Sequence, residues 1–212
     1  IAKVGDTQGG PGQLRPDKTL NHFTATSGQD IFRGERLPAD LRGNPLFAEP
    51  VGRLIRRTLI TVDDGVTRLA NPYEKEQGEF IRATDPLFRP VNMITAPDGT
   101  LYIVDMYRGV IQQRADITEY LRDHIINHKL EKPTALGRIY RVVHETTKRD
   151  TTTGANGRLT TMQLVDLLSH PNGWWRETAQ QLLVERGDRT SVSALARLAA
   201  TAKEPRTKLH AL

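Results

Sequence analysis

Residues 91–105 read VNMITAPDGTLYIVD, and the reading of this stretch decides the fold. Val91 to Thr95 forms one β run, Ala96-Pro97-Asp98-Gly99 a tight turn, and Thr100 to Asp105 a second run. Pro97 presets one corner, and Asp98-Gly99 supplies the unusual φ that the exit of such a turn needs. The second run has an aromatic in mid-strand and ends on a polar residue. A turn-plus-strand unit of this kind fits a blade of a β-propeller, with Asp105 near the central channel; the alternative is an ordinary β-sandwich hairpin. At about 40–50 residues per blade the β-rich part holds roughly three. They would form an open arc completed by blades outside this chain.

Working outward, Leu46–Glu49, the turn Pro50-Val51-Gly52 and Arg53–Ile60 read as another hairpin, and Gly137–His144 as a further strand. Residues 1–20 are Gly/Pro-rich without periodicity and read as surface loop or linker. Lys148–Asn156 is polar and Thr-rich, a second linker. After it the hydrophobic period changes. Thr160 or Thr161 caps a helix carrying Leu164, Val165, Leu167 and Leu168; Pro171-Asn172-Gly173 breaks it, and Trp174-Trp175 opens the next. Gly187 sits where a helix-ending glycine belongs. Ser191 is read as the cap of a third helix, Pro205 as the end of that region, and Lys208–Leu212 as the start of a fourth. The expected architecture is all-β then all-α. Residues 1–147 are a partial β-propeller with loop insertions, 148–157 a linker, and 158–212 incomplete HEAT-like helical repeats, the start of an α-solenoid. On this reading the chain is an internal fragment.

Composition sets the bounds. The 212 residues carry 30 Lys and Arg against 25 Asp and Glu, a formal charge of +5, with no basic block that reads as a nucleic-acid arm. No apolar run approaches the ~20 residues of a membrane span. Cysteine is absent, which excludes disulfides, thiolate metal sites, cysteine nucleophiles and covalent c-type haem attachment within these residues.

Three stretches carry a family resemblance: IFRGERLPADLRGNPLFAEPVGRLIRR (31–57), DPLFRPVNMITAPDGTLYIVDMYRGVIQ (85–112), and GRIYRVV (137–143) followed by LLSHPNGWWRETAQQLLVERGD (167–188). Together they resemble the membrane-bound dehydrogenase family of Planctomycetes and Verrucomicrobia type. In that family a sugar-dehydrogenase-like β-propeller precedes HEAT repeats and a C-terminal c-type cytochrome domain. Many relatives have a cysteine in the stretch matching Thr24–Asp30, which this chain lacks. The resemblance implies an exported or periplasmic protein, membrane-associated through a partner, that oxidises a sugar or alcohol and passes electrons to haem. It places haem c elsewhere in the parent protein or on a partner, admits a quinone cofactor, and names other parts of the polypeptide, neighbouring subunits or a cytochrome c as partners. No catalytic base is assigned. The second reading is a non-enzymatic scaffold or interaction subunit of a larger redox complex.

Five residues at strand ends are candidates for ligand contact: Arg89, Asn92, Asp105, Tyr107 and Arg108. An acid, a phenol and guanidiniums at one mouth can hold a polar ligand. The competing structural reading has Asp105 capping its turn and pairing with Arg108, and Arg89 pairing with Asp85 or Glu49. His124 and His128 lie four apart at helical spacing, but the intervening residues do not make the H-E-x-x-H zinc motif, and a surface helix explains them. Arg53, Arg56 and Arg57 read as the charged protection of a solvated edge strand. Trp174 and Trp175 point about 100° apart on a helix. One is expected in the inter-helix leucine core and the other at an interface.

Overall fold

The computed structural model describes residues 12–17, 19–148 and 158–212; most of the proposed linkers, residues 1–11 and 149–157, lies outside the described residues. Among the described residues nine strands form: β1 Gln29–Ile31, β2 Pro45–Glu49, β3 Leu54–Arg57, β4 Leu59–Asp63, β5 Val66–Ala70, β6 Ile81–Arg82, β7 Pro90–Thr95, β8 Leu101–Asp105 and β9 Arg138–Val142. Five α-helices accompany them: α1 Glu119–Asn127, α2 Thr161–Leu167, α3 Gly173–Arg186, α4 Val192–Thr201 and α5 Pro205–Ala211. The strands make three small sheets, ordered β1-β2-β3-β6, β4-β5 and β7-β8-β9.

This arrangement corrects the propeller expectation. Sheets of four, two and three strands are not repeats of one blade, and α1 is inserted between β8 and β9. The physical reason is visible at Thr58. Residues 53–60 were expected to run as one strand. Instead β3 stops at Arg57, Thr58 N–H donates to Pro45 O at 2.9 Å, and Leu59 starts a separate ribbon with β5. The solenoid expectation is corrected as well. Helix α2 packs on α3, and α3 and α4 each on α5, around one core of Leu164, Leu168, Ala179 and Ala211, and among the described residues no run of stacked repeats forms.

The chain divides into two compact units. The first gathers residues up to Phe32, Gly43–Ile94 and Tyr102–Val142; the second gathers Arg33–Arg42, Thr95–Leu101 and the chain from Val143 onward. In the first unit β2 and β3 bury nearly every side chain, and Leu46, Ala48, Leu54 and Ile55 are fully enclosed. Register is fixed by Leu46 opposite Arg57 and Glu49 opposite Leu54.

The 96–100 turn forms as the residues require. Gly99 N–H donates to Ala96 O at 3.0 Å, Ala96 N–H donates to Thr100 O at 2.9 Å, and Gly99 takes φ +78°. Asp98 Oδ1 accepts from both the Thr100 N–H and its hydroxyl. A Cβ at Gly99 would stand 2.5 Å from Arg36 Cγ, so both the dihedral and the space demand glycine.

The helical starts are equally local. Thr160 caps α2 in a reciprocal box with Gln163, and Asn172 caps α3. Gly187 ends α3 in the left-handed region. Two expectations fail in detail. Ser191 makes no side-chain cap, because it closes the short 3-10 turn Arg189–Ser191 that Asp188 caps. The fourth helix, α5, starts at Pro205 and not at Lys208: the missing proline N–H costs nothing in the first turn.

Candidate functional site

Asp105 ends β8 and is 1% exposed. Its Oδ1 accepts the backbone N–H of Arg89 and of Tyr107, each at 2.7 Å. That pair of bonds turns the chain sharply after the strand and holds Tyr107 at φ +45°, a conformation a bulky residue adopts only under constraint. The turn carries the carbonyls of Arg108 and Gly109 back toward β7.

Arg89 receives them. Its Nε donates to Arg108 O and its Nη2 to Gly109 O, both at 3.0 Å, while Nη1 donates to Pro50 O at 2.6 Å. The residue is 1% exposed. Its fork therefore ties the β2–β3 turn to the segment after β8, and it uses carbonyl dipoles in place of a carboxylate. Burial, then repulsion from Arg53, lowers the guanidinium pKa to about 10; Glu49, Asp105 and Asp85 pull the other way. The expected direct ion pair with Asp85 or Glu49 is replaced by these carbonyl bonds. Glu49 itself accepts the N–H groups of Thr24 and Ala25 at 2.9 and 2.8 Å.

The remaining candidates divide. Tyr107 lies under the Arg138 guanidinium, 3.3 Å from the ring centroid, and its phenol is pushed up first by a hydrogen bond to Asp85. Arg108 contributes its carbonyl to the cluster and leaves its side chain exposed; Asp105 pairs with main-chain N–H groups, not with Arg108. Asn92 stands apart. Its Oδ1 accepts from Met93 N–H at 2.9 Å, and it lies against Gly28. The structure thus brings Arg89, Asp105, Tyr107 and Arg108 together as a fold-holding cluster and places Asn92 elsewhere on the sheet.

His124 on α1 and His128 at its C-terminal cap stack, with ring centroids 4.3 Å apart. Among the described residues no group of three or more His, Cys, Asp or Glu side chains is placed to hold a metal ion. The buried tryptophan is Trp175, but it does not join the leucine core. Its Nε1 donates to Pro97 O at 3.0 Å and its ring stands edge-on to half-buried Trp174 at 5.0 Å.

Arg53, Arg56 and Arg57 do not protect an edge strand, because β3 is not one. The strand is internal to its sheet, and Arg53 and Arg57 are buried. Arg56 makes a two-pronged ion pair with buried Glu79 at 2.6 and 2.5 Å and lies over the Phe23 ring at 4.8 Å. It lines two cavities of about 450 and 350 Å³, which share Arg56, Leu69, Ala70 and Asn71. Nothing in the local sequence signals this, because Glu79 and Phe23 are supplied from distant segments.

No curated protein and no solved structure matches the chain. A family model described as "Domain of unknown function (DUF7133)" matches residues 5–146, about two thirds of the chain, and the chain belongs to that family.

Proposed function

We propose that the chain is a non-enzymatic scaffold or interaction part of a larger exported, c-type-cytochrome-linked redox assembly. Haem and substrate chemistry are carried elsewhere in that assembly. One observation supports this reading above the catalytic one. The strand-end groups best suited to holding a polar ligand are committed to main-chain partners: Arg89 binds the carbonyls of Pro50, Arg108 and Gly109, and Asp105 binds the N–H groups of Arg89 and Tyr107. A general base must reach a substrate proton, and these groups are turned into the protein. The redox setting rests on the family resemblance of the three sequence stretches.

The test is dye reduction by the purified chain with a panel of sugars and alcohols, with and without added quinone cofactor. Rates equal to the protein-free blank are expected. Sustained turnover above the blank overturns the proposal. Its loss in Arg108→Ala, whose exposed side chain the fold does not use, would return the strand-end residues as the site.

A further inference from the structure

Across β1, β2 and β3, Gln29 stands directly opposite Phe47, and Phe47 directly opposite Arg56. Directly opposed residues share one side of a sheet, so these three side chains stand together. All three line the cavity of about 350 Å³, and Phe23, Phe47 and Leu69 of the β4–β5 ribbon give that cavity apolar walls. The cavity of about 450 Å³ shares Arg56 and Leu69 with it and adds charge, from Arg15 and Glu74. Every one of these residues belongs to the first unit.

The charged groups keep open positions. Arg56 gives Nε and Nη2 to buried Glu79, and its Nη1 makes no hydrogen bond among the described residues. That nitrogen is not enclosed by the protein. Arg15 uses Nη1 alone, toward Leu20 O and the Thr19 hydroxyl, which leaves its Nε and Nη2 open. Glu74 is exposed, and its carboxylate makes no hydrogen bond or ion pair among the described residues. Its loop is nonetheless held. Asn71 Nδ2 donates to Gly78 O at 3.1 Å, Asn71 Oδ1 accepts from Tyr73 N–H at 3.0 Å, and Gln77 N–H donates to Glu74 O at 3.0 Å.

We propose that this site binds a free α-amino acid with a large apolar side chain. With Glu79 counted behind Arg56, the two guanidiniums and two carboxylates cancel, so a simple anion gains little net attraction. A molecule with one charge of each sign can meet both open groups. Arg15 and Arg56 Nη1 take its carboxylate, Glu74 takes its ammonium, and Phe23, Phe47 and Leu69 receive its side chain. Both cavities fall in the range of roughly 300–1,000 Å³ usual for small-molecule sites.

The experiment is calorimetric titration of the whole chain with L-phenylalanine and with L-leucine. Saturable binding of at least one is expected. The N-acetyl form of the tighter binder lacks the ammonium and its amide lacks the carboxylate. Each should bind at least tenfold more weakly, and so should glycine. Glu74→Gln alters a side chain that no fold contact uses, so the melting temperature should stay that of wild type. Its affinity for the amino acid should fall at least tenfold, and its affinity for the N-acetyl form should change little. Arg15→Gln should erase the discrimination against the amide. Glu76→Gln, in the same loop but outside both cavity linings, should bind as wild type. Absence of saturable binding by both amino acids overturns the proposal. So does an N-acetyl form that binds as tightly as its parent, undiminished affinity in Glu74→Gln, or an equal loss in Glu76→Gln, which would indicate diffuse charge alone.

Discussion

The Nη2 group of Arg89 donates to the carbonyl of Gly109 at 3.0 Å, and that carbonyl is within reach only because residue 109 is glycine. A Cβ there would stand 2.2 Å from Leu130 O and 2.7 Å from Leu130 Cβ. The close approach of the 109 and 130 segments and the seating of the buried guanidinium are one packing event. It depends on a side chain at one end and the absence of one at the other.

Removing the guanidinium should unfold this arrangement from the inside. Arg89→Met preserves much of the volume but removes the guanidinium donors that reach the carbonyls of Pro50, Arg108 and Gly109. Each such loss costs about 1–3 kcal/mol and they do not add fully, so roughly 3–5 kcal/mol is expected from urea unfolding. Arg89→Lys should recover only part, since a single ammonium cannot serve three separated carbonyls with the fork's geometry. A loss under about 1 kcal/mol in Arg89→Met would show that the cluster contributes little to stability.

Glycine positions separate space from dihedral strain. Gly28 and Gly109 lack room: a Cβ at Gly28 would stand 2.6 Å from Asn92 Cα and 2.7 Å from Val91 O. Gly43 has φ +82° with open space around it. Gly43→Ala should therefore cost about 1 kcal/mol, from strain alone. Gly28→Ala and Gly109→Ala press against backbone, which must move, and each should cost about 1–3 kcal/mol or more. Comparable thermal shifts for all three alanine variants would refute the packing argument.

His210 gives a pH dependence of defined sign. Its pKa lies below the ordinary histidine value, from burial first and then from Arg176 and Arg33, while its Nδ1 meets Gln180 Oε1 at 2.7 Å. The folded chain therefore binds fewer protons than the unfolded chain just below pH 6.5. Stability from this group is present above that pH and falls as pH drops toward the folded-state pKa. His210→Gln should flatten the slope of unfolding free energy in that window. An unchanged slope would place the titration elsewhere.

Local grammar in the sequence was readable where the partners are local. The Pro97-Asp98-Gly99 turn, the Thr160–Gln163 capping box, Asn172 as a breaker and Gly187 as a stop all depend on contacts within a few residues. The count and pairing of sheets did not follow, because the same hairpin grammar serves any small antiparallel sheet. Whether residues 53–60 stay one strand is decided by Pro45 O meeting Thr58 N–H. The bonding of the strand-end cluster was hidden for a related reason. The partners of Arg89 are carbonyls 39 and 20 residues away, and a carbonyl has no sequence signature.

Asn172 offers the sharpest test of how α3 is fixed in the second unit. It is fully buried and uses both ends of its amide. Oδ1 accepts from Trp174 N–H at 3.0 Å, an ordinary helix cap, and Nδ2 donates to Ala96 O at 2.9 Å and to Pro97 O at 3.3 Å. If capping were the whole role, Asn172→Asp would be nearly neutral, since aspartate caps as well as asparagine. With the donor role included, the substitution removes both Nδ2 bonds and sets a buried carboxylate against two carbonyl oxygens. That reverses the outcome. Asn172→Asp should then be more damaging than Asn172→Ala, which should itself cost about 1–3 kcal/mol through the lost cap and the lost Nδ2 bonds to Ala96 O and Pro97 O. The ranking should also depend on pH, because protonating the aspartate restores a donor. Melting temperatures of the two variants should converge as pH falls below about 5. If Asn172→Asp melts with the wild type at pH 7, the carbonyls of the 96–100 turn do not need this donor.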